Sequence, residues 1–237
     1  MICVPIEVTI IEKKAIFDVT MGAKKIYLLE EGRAAIMGSG VNISLPEGHT
    51  VIDIGGGSTD IAILSLNEIV VSTSIRVASN KFDEDIIKYV KRKFNLLIGD
   101  KTAENIKKEV GSAMEVPINE NISTKIKGKD LVTGIPKTID ITSNQINEAI
   151  KDSVNEIILA LKEVLEKCPP ELSSDILDNG IILTGGGSLI RNLDKLIENK
   201  VNIPIHRATN SLESVVIGGA LAFDNKALLR TLEMREM

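Results

Sequence analysis

Apolar residues recur along this chain with two different periods, and the changes of period divide it into elements. Near the start, Pro5 and Thr9 punctuate a short apolar run. Thr9-Ile-Ile-Glu12 has the spacing of a capping box, in which Thr and Glu side chains satisfy the first free backbone donors of a helix. That helix is expected to run to about Gly22. The continuous apolar centre of KKIYLLEE, Ile26 to Leu29, reads as a buried parallel strand, and the small-residue stretch GRAAIMGSG follows it. HTVIDIGGGSTDIAILSL and EIVVSTSIRV read as strands joined by tight turns, an antiparallel meander.

From Ser79 to about Phe94, the positions Phe82, Ile86, Ile87, Val90 and Phe94 recur at helical spacing, and a second helix is expected from Thr102 to about Ala113. Residues 116–142 are rich in β-branched residues, Gly, Asn and Pro and read as a small sheet. Thr142-Ser-Asn-Gln145 is another capping box. It opens a long helix through Ile146, Ile150, Val154, Ile157, Leu161 and Leu165, which Pro169-Pro170 stops. GIILTGGG reads as a buried strand ending in glycines, SLIRNLDKLI as an amphipathic helix and NIPIHRA as a strand. Asn210-Ser-Leu-Glu213 is expected to start the last helix. The β-α alternation at both ends predicts α/β domains with a small subdomain inserted in the second. The boundaries read as a partial first-half domain at 1–48, a second-half core at 49–77 and 143–218, the inserted subdomain at 78–142 and a C-terminal helix at 219–237.

Composition narrows the class. With 237 residues, 43% hydrophobic and 26% charged, the chain can bury a sizeable core and lies far from the signature of disorder. A net charge of −5 argues against non-specific nucleic-acid binding, and four Phe, two Tyr and no Trp cannot form a stacking platform for single strands. Cys3 and Cys168 have neither metal-ligand spacing nor a disulfide framework, so a reducing cytoplasm is the default. His49 and His206 have no adjacent ligand set and are expected at the surface. No basic and apolar leader opens the sequence, and no stretch reaches the ~18 apolar residues of a membrane span. Neither secretion nor a spanning segment is expected.

Two glycine triplets are the candidate chemistry. Asp53-Ile-Gly-Gly-Gly-Ser-Thr-Asp60 lies between two apolar strands, so Gly55, Gly56 and Gly57 belong to a hairpin turn. It is not a dinucleotide fingerprint, which needs a third glycine opening a helix where this chain has Asp60, and no P-loop Gly-Lys-Ser/Thr occurs. Such a turn offers backbone N–H groups unblocked by side chains, an anion-binding concavity, with the hydroxyls of Ser58 and Thr59 beside it. Asp53 at the strand end could hold Mg²⁺ through water. Thr184-Gly-Gly-Gly-Ser188 instead ends a strand and opens a helix, a second place for an anion. Glu104 and Lys107 lie three apart on the second helix, opposite the stripe Ala103, Ile106 and Val110, and read most simply as a solvated ion pair. Glu31 follows a buried strand, at the edge where α/β folds bind ligands.

Taken in order, LLEEGRAA, VIDIGGGSTDIAILS, SIRVASNKFDEDIIKYVKRKFNLLIGDKTAENIKKEVGSA, KCPPELSSDI and ILTGGGSLIRNLD resemble the MreB family of bacterial actin homologues, over essentially the whole chain. The resemblance implies an α/β, actin-like (ribonuclease-H-like) fold with its second half complete and its first half partial. It also implies a cleft for ATP or GTP with Mg²⁺, and polymerisation into filaments that organise cell-wall growth and cell shape. Carried over by position, Gly55, Gly56, Gly57 and Ser58 resemble the second phosphate loop. Glu104, Asn105, Ile106 and Lys107 resemble base and ribose contacts, and Gly186, Gly187, Ser188 and Leu189 an adenosine-side loop. Asp53 resembles the residue that positions Mg²⁺ water. Glu31 and Ser58 stand as the candidate catalytic pair, Glu31 where the family's water-orienting carboxylate lies and Ser58 where a Thr usually assists it. Gly32-Arg33 replaces a usual Pro-Met, a change expected to loosen the start of that helix.

In this family each half begins with a meander whose glycine turn grips phosphate, and only the second half of this chain has one. The resemblance is therefore to a member lacking its N-terminal third and its first phosphate loop. It implies a nucleoside triphosphatase in which that side of the clamp is missing, or a non-hydrolysing nucleotide-binding or interaction module. The implied partners are other copies or full-length paralogues, cell-wall elongation proteins and membrane-bound morphogenesis proteins, in the cytoplasm or peripheral at the inner face of the membrane.

Overall fold

The computed structural model describes residues 1–20, 22–230, 232 and 234–236. The chain opens with β1 (Ile2–Val4), α1 (Ile10–Val19), β2 (Lys25–Glu30) and α2 (Glu31–Gly38). The capping box of α1 forms as spaced: Thr9 Oγ1 accepts from the Glu12 N–H at 3.2 Å and Glu12 Oε2 accepts from the Thr9 N–H at 2.9 Å. The meander follows as β3 (His49–Ile54), β4 (Thr59–Ser65) and β5 (Glu68–Ile75), antiparallel throughout.

Next come α3 (Ser79–Phe94), β6 (Leu96–Leu97), α4 (Asp100–Val110), β7 (Ser123–Asp130) and β8 (Pro136–Thr142), the three strands making a small sheet of their own. The long helix α5 (Ser143–Glu166) starts at the Thr142 capping box. Beyond it the prolines do two jobs: they end α5, and Pro170 opens a further helix, α6 (Pro170–Asn179), from the first-turn position where its missing N–H costs nothing. The sequence pattern shows the stop and not the restart.

The remaining elements are β9 (Ile181–Thr184), α7 (Leu193–Val201), β10 (Ile205–Arg207), α8 (Ser214–Asp224), α9 (Lys226–Leu229) and β11 (Met234–Glu236). Three expectations change here. After the second glycine turn the chain makes a 3₁₀ turn, Gly186–Leu189, and α7 starts only at Leu193, because Asn192 takes a left-handed conformation with φ 62°. The last helix starts at Ser214 without the Asn210 capping box, its N-cap Glu213 making no side-chain bond. The expected C-terminal helix over 219–237 is instead the end of α8, the short α9 and β11, which pairs antiparallel with β2. Residues 231, 233 and 237 of that range, like Met21 in the first expected helix, lie outside the described residues.

The central sheet has the order β10-β9-β3-β4-β5, and every residue of β4 is buried. Strand alternation explains how an unbroken apolar run is used on both sides. Ile52, Ile54, Ile61 and Ile63 point into the main core with Phe82, Ile150 and Ile157 from α3 and α5, while Val51, Ala62 and Leu64 pack with Ala35 and Ile36 of α2 on the other face.

The unit β1-α1-β2-α2 recurs as β9-α7-β10-α8, each a parallel strand pair with its helices, and the two final helices pack together. A Cβ on Gly38 would stand 1.8 Å from the Ser214 carbonyl oxygen, and one on Gly218 would stand 1.8 Å from that of Ala34. The two contacts exchange when the helices exchange. Backbone-to-backbone packing of α2 on α8 joins the halves, and Glu31 is the first residue of α2.

Candidate functional site

A cleft of about 1180 Å³ opens between the two halves, lined by both glycine turns, the start of α3, one face of α4, and Pro5 and Glu31 from the first half. Its floor is the β3–β4 hairpin. The Gly55 N–H bonds across the turn to the Ser58 carbonyl at 3.0 Å. The carbonyls of Gly55 and Gly56 accept from the N–H groups of Ser79 and Asn80, at 3.2 and 2.9 Å. These bonds cap α3, whose N-cap residue Ala78 has no side chain to do so. Gly56 and Gly57 are exposed and line the cleft, and their N–H groups make no backbone hydrogen bond among the described residues. None of the three glycines has a positive φ, so they matter for the space they leave and not for strain: a Cβ on Gly57 would meet nothing within 4 Å.

Ser58 lines the cleft, but Thr59 is fully buried and its hydroxyl donates to the Val77 carbonyl at 2.6 Å. Of the two hydroxyls expected beside the turn, one is available to a ligand.

The second glycine turn crosses over the end of β3. Gly185 has φ 84°, and a Cβ there would be 2.2 Å from the Ile54 carbonyl oxygen and 2.5 Å from Asp53 Oδ1. Only glycine fits this crossing. Gly186 and Leu189 reach the cleft, whereas Gly187 packs on Ile54 and the buried Ser188 turns its hydroxyl to the Gly185 carbonyl at 2.6 Å. Gly187 and Ser188 are therefore part of the support and not of the surface.

Helix α4 divides the expected contacts in the same way. Glu104 and Lys107 line the cleft, Asn105 is exposed outside it, and Ile106 lies in the main core. Glu104 and Lys107 do not pair with each other. Glu104 is held by Lys101 at 2.8 Å and by Lys108, whose ammonium groups pull its carboxyl down to about 2. Lys107 is 7% exposed and its Nζ donates to the Ser79 carbonyl at 2.9 Å, Ser79 Oγ at 2.7 Å and Asp83 Oδ2 at 2.8 Å. The solvated ion pair read from the sequence is thus a buried link between α4 and the start of α3. Lys107 was expected opposite the stripe Ala103, Ile106 and Val110 and instead lies buried with it; the i, i+3, i+4, i+7 spacing of 103, 106, 107 and 110 was the available signal, and an ammonium on a core stripe needs a partner.

Opposite α4 stands a group of buried carboxyls. Asp53, at the end of β3, is 5% exposed, and its Oδ1 is buried with no hydrogen-bond partner. Burial, then the charges of Glu31 and Asp60, push it up to about 7. Glu31 lines the cleft and is pushed up to about 6, first by burial and then by Asp60. Asp60, which pairs with Asp53 across the ladder, is also raised by burial. Among the described residues no group of three or more His, Cys, Asp or Glu is arranged to hold a metal unaided. His206 is exposed as expected, while His49 on β3 is half-buried. Sequence reasoning missed Asp60, Asp83 and Arg191. The last donates to the Gly111 carbonyl at 3.1 Å and Ser143 Oγ at 2.7 Å, tying the second glycine turn to the inserted subdomain. No helix among the described residues is long and apolar enough to cross a membrane.

The cleft thus pairs an exposed run of N–H donors with buried carboxyls behind it, an arrangement suited to an anion accompanied by a cation. Comparison with known proteins agrees with this architecture. The chain is 45% identical over 227 residues to the cell shape-determining protein Mbl of Bacillus subtilis (strain 168), covering 95% of this chain and 68% of that one. It is 42% identical over 226 residues to the cell shape-determining protein MreB of Escherichia coli (strain K12), covering 94% and 65%. It spans about two thirds of the length of these relatives. The crystal structure of MreB5 of Spiroplasma citri bound to AMPPNP superposes with a TM-score of 0.89 at 43% identity, over 94% of this chain and 67% of that one. The MamK double helical filament, at 19% identity and a TM-score of 0.78 over 94% and 69%, shares the actin-like fold. The MreB/Mbl protein family model matches residues 1–231, and the chain belongs to that family.

Proposed function

We propose that the cleft binds ATP with Mg²⁺, GTP being the alternative, and that the protein is a cytoskeletal subunit that assembles with copies of itself or with longer relatives to organise cell-wall growth and cell shape. The observation that carries this reading is the glycine hairpin: the Gly55 and Gly56 carbonyls are committed to α3, and the side-chain-free Gly56 and Gly57, whose N–H groups make no backbone bond among the described residues, line a cleft large enough for a nucleotide. Asp53 Oδ1, buried and unpartnered, fits a hydrated Mg²⁺ that would neutralise it. The relative from Spiroplasma citri supports the nucleotide assignment, having been crystallised with AMPPNP and with ADP. Hydrolysis in such a site rests on positioning and charge stabilisation. Glu31 and Ser58, one from each half, would orient and assist the attacking water across the hairpin.

The test is calorimetric titration with Mg·ATP, followed by phosphate release and light scattering. Binding that is lost in Gly57→Val, with turnover that Glu31→Ala removes, is the expected result. Binding without turnover would identify a non-hydrolysing nucleotide-binding module. No heat at millimolar ATP would overturn the assignment.

A further inference from the structure

Asp60 stands behind the cleft without lining it. It is 1% exposed, in a strand whose following residues Ile61, Ala62, Ile63 and Leu64 are all buried and apolar. A carboxyl in such a place is costly unless its bonds are specific. Asp60 Oδ1 accepts from the Ile6 N–H at 3.1 Å, and the same carboxyl lies beside Ser74 and close enough to the Glu31 carboxyl for each to perturb the other. Ser74 faces Asp60 across the β4–β5 ladder, in the second half. Ile6, at the exit of β1, and Glu31, at the start of α2, belong to the first half. Asp60 is therefore a point where side-chain chemistry, and not apolar packing, connects the halves at the cleft floor. Its routes to the cleft run through Glu31 and through the segment carrying Pro5, which lines the same space.

We propose that Asp60 is a positioning residue for Glu31, holding its carboxyl toward the glycine hairpin. The proposal rests on the reading of Glu31 as the group that orients water, and goes beyond it by assigning what orients Glu31. A purely structural Asp60 would serve the Ile6 N–H alone. The two roles differ in what a substitution does when Glu31 is already neutralised. Side chains acting as one unit give non-additive losses. Independent ones give additive losses.

The experiment uses the full 237-residue chain and single-turnover phosphate release from Mg·ATP, with affinity for a fluorescent non-hydrolysable ATP analogue and thermal denaturation measured in parallel. Asp60→Ala is expected to lower turnover about 100-fold, the scale of a small misplacement at a reacting centre, with analogue affinity unchanged. Asp60→Asn keeps an acceptor for Ile6 and offers an amide N–H to Glu31, and should recover turnover to within about tenfold of the parent. In a Glu31→Gln background Asp60→Ala should cost nothing more. Equal losses in both backgrounds, or parent-like turnover in Asp60→Ala, would overturn the proposal. Melting temperatures of Asp60→Asn, Glu31→Gln and the double variant form a cycle that needs no activity and no disruptive substitution. Shifts that do not sum support the contact, and shifts that sum overturn it. A parent chain with no turnover but a non-additive cycle would remove the hydrolysis reading while leaving the coupling of Asp60 to Glu31 standing.

Discussion

Gly218→Ala is the substitution on which helix propensity and tertiary structure disagree in sign. Gly218 lies inside α8, where alanine is intrinsically better by about 1 kcal/mol, so the isolated helix would gain stability. In the folded chain the new Cβ would stand 1.8 Å from the Ala34 carbonyl oxygen, 2.6 Å from its carbon and 2.9 Å from Ala34 Cα. Carbon-to-oxygen contacts close at about 3.3 Å, so α2 and α8 would have to part by about 1.5 Å at a crossing where both sides are backbone and no side chain can yield. Overpacking of this kind costs about 1–3 kcal/mol, occasionally more. The absence of a flexible neighbour places this case at the upper end, which leaves a net loss of about 2 kcal/mol after the propensity gain. For a chain of this size that is a fall of about 4–8 °C in melting temperature, read by circular dichroism with Gly99→Ala as control, since nothing lies within 4 Å of a Cβ there. Because α2 begins at Glu31, phosphate release should fall as well. A Gly218→Ala protein that melts at or above the parent temperature would refute the close crossing, and with it the account of how the halves are joined.

Other substitutions separate site from scaffold. Gly57→Ala should leave the melting temperature unchanged, because its Cβ enters open cleft, yet weaken Mg·ATP binding by about tenfold or more, roughly 1.4 kcal/mol; calorimetry reads both affinity and any failure of the idea. Lys107→Ala removes the cation from a largely buried pair and strands Asp83, with an expected loss of about 3 kcal/mol in urea denaturation; a loss below about 1 kcal/mol would mean that Lys107 is not the link between α4 and α3. The raised carboxyls give a pH signature without nucleotide or divalent metal. Asp53, at about 7, and Glu31, at about 6, bind their protons more tightly folded than unfolded. Their contribution is complete below about pH 4 and is lost as pH rises through 6 to 7, at about 1.4 kcal/mol for each tenfold difference in proton affinity between the folded and unfolded chain. Stability should therefore fall between pH 4 and 7, and Asp53→Asn should flatten that slope; an unchanged slope would show that Asp53 is not the group responsible.

Local order was legible in the residues themselves. The capping boxes at Thr9 and Thr142, the helical stripe from Phe82 to Phe94 and the alternating meander on either side of Asp53 depend on neighbours within a few positions, and they fold as their spacing requires. The glycine hairpin and Glu31 were readable as candidate chemistry for the same reason: a turn between two apolar strands and a carboxylate at a strand end are local patterns. Four things were decided only by residues far apart in the chain. Thr59 lost its hydroxyl to the Val77 carbonyl, and Ile106 went to the core, because each faces inward once the sheet and α4 are packed. Lys107 found Asp83 because α3 and α4 cross there. The end of the chain became a strand beside β2 instead of a continuous helix, since an unpaired sheet edge outweighs local helical preference. Asp60, anonymous within an apolar strand, gained its meaning from Ile6 and Glu31, which only the closing of one half upon the other brings within reach.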